Sequence, residues 1–273
     1  MNSLMLNTDG VQIPQLGFGV WQVPAEGAEE AVATALRAGY RHIDTASAYQ
    51  NEEGVGAAVR ACGVPREKVF VTTKLWNGDH DRAERAFDES LARLGLDYVD
   101  LYLIHWPVPE QDRYVQAWRS LEKIYRDGRA RAIGVSNFTV ANLTRLMDET
   151  DITPSINQIE LHPYLQQREM RAFHEANGIL TEAWSPLGQG RGLLDDPALA
   201  VLAEKHCRTP AQIVLRWHLQ LGNVVIPKSV TPSRIKENVS VFDFILDGED
   251  MAAIGAMSRH QRFGPDPETF NLR

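Results

Sequence analysis

The chain has 273 residues, of which 44% are hydrophobic and 23% charged, with 20 Gly and 14 Pro. This is the profile of a globular chain, and it excludes disorder, collagen and coiled coil as descriptions of the whole; at this length a compact fold buries about 70–75% of its unfolded surface. The formal charge is −8 with no basic stripe, which argues against a nucleic-acid reader and means that any anion must meet a locally built cationic site.

Residues 1–12 show no basic region followed by an apolar run, so no secretory signal is expected. No stretch approaches 18 uninterrupted apolar residues, and no membrane span is expected. The two cysteines, Cys62 and Cys207, stand far apart without a Cys-x-x-Cys pair. That usage fits a reducing, cytoplasmic setting.

In chain order, Leu4–Ile13 reads as a hairpin turning at Asp9-Gly10, a dipeptide that accepts positive φ. Eight β-prone runs follow: Leu16–Val20, His42–Asp44, Val69–Lys74, Val99–Ile104, Ala130–Val135, Ile156–Ile159, Ile179–Ala183 and Val224–Pro227. Amphipathic helices fall between them. Phe87, Leu91 and Leu94 lie on one helical face before Gly95; Trp118, Leu121 and Tyr125 do the same before Gly128; Val214, Trp217, His218 and Leu221 before Gly222. Asp196–His206 adds an extra helix in the last, longer interval.

A parallel strand pair needs a helical crossover, and the strand spacing supplies one each time. Eight βα units without a linker predict one domain, 1–273, folded as a (β/α)8 TIM barrel with an N-terminal β-hairpin and extra helices near the C-terminus. The competing fold, an open doubly wound sheet, requires Gly-x-Gly-x-x-Gly after its first strand. Gly17-Phe18-Gly19-Val20-Trp21-Gln22 lacks the third glycine, and Gly188-Gln189-Gly190-Arg191-Gly192 has the wrong spacing.

Barrel chemistry sits on the loops after the strands. Those loops bring Trp21; Asp44 and Tyr49; Lys74 and Trp76; His105 and Trp106; Ser136 and Asn137; Glu160 and His162; Trp184 and Ser185; Lys228 and Ser229. Each alone has a structural explanation, as a turn cap or as rim packing. Together, Asp44, Tyr49, Lys74 and His105 can converge. A tyrosine, with a free pKa of about 10, can protonate a developing alkoxide. A neighbouring ammonium is expected to lower that pKa and make a better acid. Lys74 can supply the charge, Asp44 can hold Lys74, and His105 can orient a carbonyl oxygen. None is a strong nucleophile, so the attacking species should come from a cofactor. A serine triad lacks its Gly-x-Ser-x-Gly elbow. A metal site at His42 and Asp44 lacks a suitably spaced second histidine.

Ile226–Asn238 gives the clearest cofactor signal. Lys228 and Ser229 leave the last strand as a helix begins, and helix N-termini attract phosphate. Arg234 adds a planar fork. The expected ligand is a phosphorylated nucleotide, a 2′-phosphate in particular.

These residues, taken with Gly39–Ala46 and Tyr49, Asn51–Gly56, Thr72–Trp76, Val99–Pro107, Ile133–Phe138, Asn157–Pro163 and Trp184–Gly188, resemble the aldo-keto reductase family along essentially the whole chain. Within it the resemblance is greatest to bacterial members of the 2,5-diketo-D-gluconic acid reductase type. It implies an NADPH-dependent reductase of aldehydes or ketones, dicarbonyls or keto-sugars among them, working as a monomer. Asp44, Tyr49, Lys74 and His105 would be the catalytic set, with Tyr49 as general acid. Ser136, Asn137 and Gln158 would bind the nicotinamide carboxamide, and Trp184 would stand where many members stack a tyrosine. Lys228, Ser229, Thr231 and Arg234 would hold the 2′-phosphate region, with Glu237 and Asn238 toward the adenine; Ser185, Leu187 and Val230 complete the cofactor set. Trp21, Trp76 and Trp106 would wall the substrate. The segments after Pro107 and Met257 are shorter than in the larger animal members, which implies an open pocket. A barrel that merely senses NADPH is the rival reading, and the intact set of four argues against it.

Overall fold

The computed structural model describes residues 3–5 and 10–272. β1 (Ser3–Met5) and β2 (Gln12–Pro14) form the antiparallel hairpin. Its expected turn residue Asp9 lies outside the described residues, while Gly10 has φ +76°.

Strands and helices then alternate: β3 (Phe18–Gly19), α1 (Ala25–Arg37), β4 (His42–Asp44), α2 (Glu52–Ala61), β5 (Phe70–Leu75), α3 (Ala83–Leu94), β6 (Leu101–Ile104) and α4 (Tyr114–Arg126). They continue with β7 (Ile133–Ser136), α5 (Val140–Glu149), β8 (Ile156–Glu160), α6 (Arg168–Ala176), β9 (Leu180–Trp184), α7 (Pro197–His206), α8 (Pro210–Gln220), β10 (Val224–Val225), α9 (Pro232–Val239) and α10 (Gly248–Gly255).

β3 to β10 make one eight-stranded sheet in chain order, every pair parallel. The sheet curls until its two edges meet. The N–H of Gly17 donates to Val225 O at 2.8 Å, that of Val225 to Gln15 O at 2.9 Å, and that of Gly19 to Pro227 O at 3.1 Å. The open-sheet alternative would leave these groups unpaired. The first and last strands are shorter than the sequence implies. At that seam Leu16 meets Val225 as an isolated parallel bridge, and Pro227 has no N–H to continue the ladder.

The helices end where expected. Gly95 takes the left-handed conformation, φ +62°, at the end of α3, where a Cβ would cost energy. α7 starts one residue later than anticipated because the Asp196 side chain caps it, accepting the Ala198 N–H at 2.9 Å. α2 approaches the end of α3 so closely that a Cβ on Gly56 would lie 1.8 Å from Leu94 O.

Strand alternation sorts the core into two layers. Tyr102 and Ile104 of β6 face outward into the apolar layer beneath the helices, which includes the fully buried Phe87, Trp118 and Leu121. Leu101 and Leu103 face the other way. They meet Phe70, Ala132, Ile156 and Val224 at the beginnings of the strands, together with Val11 and Ile13 of the hairpin. Each Val, Leu, Ile or Phe side chain among them contributes about 1.5–3 kcal/mol by leaving water. The hairpin thus plugs the end of the sheet where strands begin, and polar residues are left to the end where strands finish.

Candidate active site

Because the strands all run one way, their last residues share one rim. Asp44 ends β4, Lys74 is the penultimate residue of β5, and His105 follows β6 directly. Tyr49 closes a single 3-10 turn, Ser47–Tyr49, immediately after β4. The Lys74 Nζ donates to Asp44 Oδ1 at 2.7 Å and to Thr45 O at 2.8 Å. Its Nζ also lies 5.1 Å from the centroid of the Tyr49 ring. The His105 ring stands edge-on to Tyr49, centroids 5.6 Å apart, and edge-on to Trp76 at 5.3 Å. The structure therefore brings together the four residues that sequence grouped.

Their charge states follow from burial and from one another. Burial opposes the Lys74 charge, but Asp44 and its neighbours overcome it and the net shift is upward, so the ammonium persists. Burial pushes the Asp44 carboxyl up, against the pull of Lys74 and Gln158. Burial also holds His105 well below the usual histidine range, assisted by Lys74, and keeps the imidazole neutral. The expectation for Tyr49 needs correction. Lys74 does pull the phenol down, but burial pushes harder the other way, and the net shift is upward. Reading charges pairwise misses the cost of placing a phenolate in a dry site.

Beside this group lies a layer of amides. Ser136 Oγ donates to Gln158 O at 2.8 Å, and Asn137 Nδ2 donates to His105 O and to Ser136 Oγ, both at 3.0 Å. Trp184 Nε1 donates to Asn137 Oδ1 at 2.8 Å, fixing the indole. Asn137 and Ser185 both adopt positive φ, 63° and 51°, a strained choice that concentrates at binding sites. Gln158 Nε2 donates to Asp44 Oδ2 at 2.8 Å and to Glu182 Oε2 at 2.9 Å.

Asp44, Tyr49, His105, Ser136, Asn137 and Gln158 line one cleft of about 1560 Å³, which Lys74 and Glu182 do not reach. Trp21, Trp76, Trp106, Tyr49 and His105 line one part of it, and Lys228, Ser229, Arg234, Glu237 and Asn238 another; Trp184, Ser185 and Leu187 also line it. Lys228 and Arg234 are exposed, and neither has an ion-pair partner among the described residues. Val230 and Thr231 do not line the cleft: Val230 points to solvent, and Thr231 sits at the N-terminus of α9 with its N–H bonded to Ser229 Oγ at 3.1 Å.

Two features escaped the sequence. The first is Glu182, fully buried in β9; its one signal was a lone acid in the run Leu180-Thr181-Glu182-Ala183-Trp184. The second is the segment 263–272, which narrows the mouth expected to be open. Glu160 accepts the N–H groups of Phe263 and Gly264 at 2.6 and 3.0 Å. Phe270 packs on Trp106 with centroids 4.3 Å apart, and Asn77 Nδ2 donates to Leu272 O at 2.7 Å. A Cβ on Gly264 would lie 2.4 Å from Trp184 Cη2, so this segment braces the indole.

Residues 15–259 match the aldo/keto reductase family. A Mycolicibacterium smegmatis protein named aldo-keto reductase is 57% identical over 266 residues, 97% of this chain and 96% of its own. An Escherichia coli protein named methylglyoxal reductase DkgA is 54% identical over 263 residues, 96% of each chain. The solved structure of Gox0644 in its apo form superposes with a TM-score of 0.95 at 48% identity, covering 99% of both chains. A Bombyx mori aldo-keto reductase in complex with NADP gives 0.89 at 40%, covering 96% of this chain and 94% of that one. This chain belongs to the aldo/keto reductase family.

Proposed function

We propose that the protein reduces aldehydes and ketones to alcohols with NADPH, on a single-domain closed (β/α)8 barrel. The observation that carries this reading is the buried Asp44–Lys74 ion pair, its ammonium 5.1 Å from the Tyr49 ring and Tyr49 edge-on to a neutral His105, with Tyr49 and His105 lining the same cleft as Lys228 and Arg234, two cations without an ion-pair partner among the described residues. A variant of Gox0644 has been solved in complex with NADPH, and the Escherichia coli relative is named for methylglyoxal. Dicarbonyls are accordingly the substrate class proposed first, with keto-sugars second.

The residues fit the cofactor. Both N–H bonds of the Gln158 amide are engaged by carboxyl groups, those of Asp44 and Glu182, which leaves its Oε1 to accept from a carboxamide, beside the Ser136 and Asn137 side chains. Trp184 offers an aromatic face, flanked by Ser185 and Leu187. Lys228, Ser229 and Arg234, at the start of α9 with Val230 and Thr231 beside them, suit a phosphate. Glu237 and Asn238 take the adenine side.

When bound, NADPH supplies a hydride to the carbonyl carbon. Tyr49 holds the proton at its Oη and passes it to the carbonyl oxygen as negative charge builds there. Lys74 keeps its charge because Asp44 is bonded to it, and it stabilises the phenolate that Tyr49 becomes. His105, neutral, orients the carbonyl oxygen through a ring N–H. Trp21, Trp76 and Trp106 exclude water, which strengthens each of these interactions.

No helix among the described residues is long and apolar enough to cross a membrane, and Cys62 and Cys207 are free thiols; we propose a cytoplasmic monomer. The test is NADPH oxidation against a panel of aldehydes, dicarbonyls and keto-sugars, repeated with NADH. Bound NADPH that no carbonyl oxidises would favour a nucleotide sensor instead.

A further inference from the structure

Glu182 has no part in the mechanism above, yet it lies next to it. In the register of the sheet it stands directly opposite Gln158. It is fully buried, and its Oε2 accepts a Gln158 N–H at 2.9 Å while the second N–H of that amide goes to Asp44 at 2.8 Å. Two buried carboxyl groups thus share one amide. The ammonium available to them, Lys74, is bonded to Asp44. The other basic group at hand, His42 on β4, lies 3.7 Å from Glu182 Oε1 through its Nε2. Burial holds that imidazole neutral, down to about 3. Two negative charges facing one positive charge in a dry interior are costly, so one proton must be retained.

We infer that Glu182 is a positioning residue for carbonyl reduction: as an uncharged acid it fixes the Gln158 amide, turning its Oε1 to the cleft and its N–H to Asp44, and so holds the Asp44–Lys74 pair beneath Tyr49. The inference rests on the carbonyl-reductase reading. The alternative amide orientation would set the Gln158 oxygen against the Asp44 carboxylate, which is repulsive, and would present an N–H to the cofactor carboxamide in place of an acceptor.

The groups facing Glu182 are His42 and Asp44 on β4, Tyr49 in the turn after it, Lys74 on β5 and Gln158 on β8; β10 offers Val224 and Val225. Burial first, then the Asp44 charge, carries the Glu182 carboxyl up to about 8. When it ionises, a second negative charge arrives beside Tyr49 and raises the phenol further, which weakens the acid that reduction needs.

The experiment compares wild type, Glu182→Gln and Glu182→Leu. In wild type the kcat for reduction should fall severalfold across about pH 8. Glu182→Gln keeps an acceptor for the Gln158 N–H but cannot ionise, so that fall should disappear. Infrared difference spectra should show a buried carboxylic acid C=O band that vanishes as wild type is titrated and is missing from Glu182→Gln. Glu182→Leu leaves the Gln158 N–H unpaired, and fluorescence titration should show NADPH binding weakened by about tenfold. The same alkaline fall in Glu182→Gln, or no titrating acid band in wild type, would overturn the inference, as would NADPH binding by folded Glu182→Leu equal to wild type. If Glu182→Leu does not fold, the other two readouts decide. If wild type oxidises NADPH with no carbonyl, the reductase reading fails instead, and the infrared titration still reports on Glu182.

Discussion

The Gln158 carboxamide donates to the Asp44 carboxylate at 2.8 Å, although β5, β6 and β7 separate their strands in the sheet. Neighbouring strands stand about 4.8 Å apart, so in a flat sheet the two backbones would be about 19 Å from one another. The contact exists because the sheet curls and both side chains point inward. The same curl brings Lys74 of β5 and Glu182 of β9 to one spot.

Tyr49→Phe removes the proton donor and leaves the ring. We expect kcat for carbonyl reduction to drop by about 10²–10⁴-fold, with NADPH affinity nearly unchanged. Steady-state NADPH oxidation and a fluorescence titration measure the two quantities separately. An undiminished rate would remove Tyr49 as the acid.

Lys228→Ala combined with Arg234→Ala should weaken NADPH by at least about tenfold, since a hydrogen bond to a charged group contributes about 1.5–3 kcal/mol. NADH, lacking the 2′-phosphate, should change little. Equal losses for the two nucleotides would show that these cations do not read that phosphate.

Stability should depend steeply on acid. Burial holds His42 down at about 3, and His80 and His174 at about 4. Among the described residues His80 has no hydrogen-bond partner for either ring nitrogen, while His174 is bonded to Asn157 and Thr181 at 3.0 and 2.8 Å. The unfolded chain protonates each imidazole near pH 6.5, so below that pH it binds more protons than the fold does. The contribution of these groups is therefore complete above about pH 6.5 and drains away as pH falls toward about 4, and for His42 toward about 3. Three such groups give at most about 4 kcal/mol per pH unit. Urea midpoints at pH 7, 5.5 and 4.5 measure this, and flat midpoints would refute it. His80→Gln should reduce the slope by at most about 1.4 kcal/mol per pH unit.

The strands and helices were legible because each carries its own local pattern, and Asp44, Lys74 and His105 were legible because they sit where strands stop. Glu182 was not. Its meaning comes from Gln158 on the adjacent strand and from Asp44 across the curl, neither of which is near it in sequence. The segment 263–272 was misjudged for a related reason. It has no periodicity to read, and it is held at Glu160 through backbone N–H groups that any residues could supply. The direction of the Tyr49 shift was also out of reach, because neighbouring charges are written in the sequence and dryness is not.

The hairpin that stoppers the sheet where its strands begin carries Val11 and Ile13 into an entirely apolar cluster. Durability and reactivity are therefore lodged at opposite poles of one molecule. A change such as Ile13→Ala shortens the lifetime of the fold without touching what it transforms, whereas exchanges around the far opening can retune its appetite for reactants while the stopper keeps the whole intact.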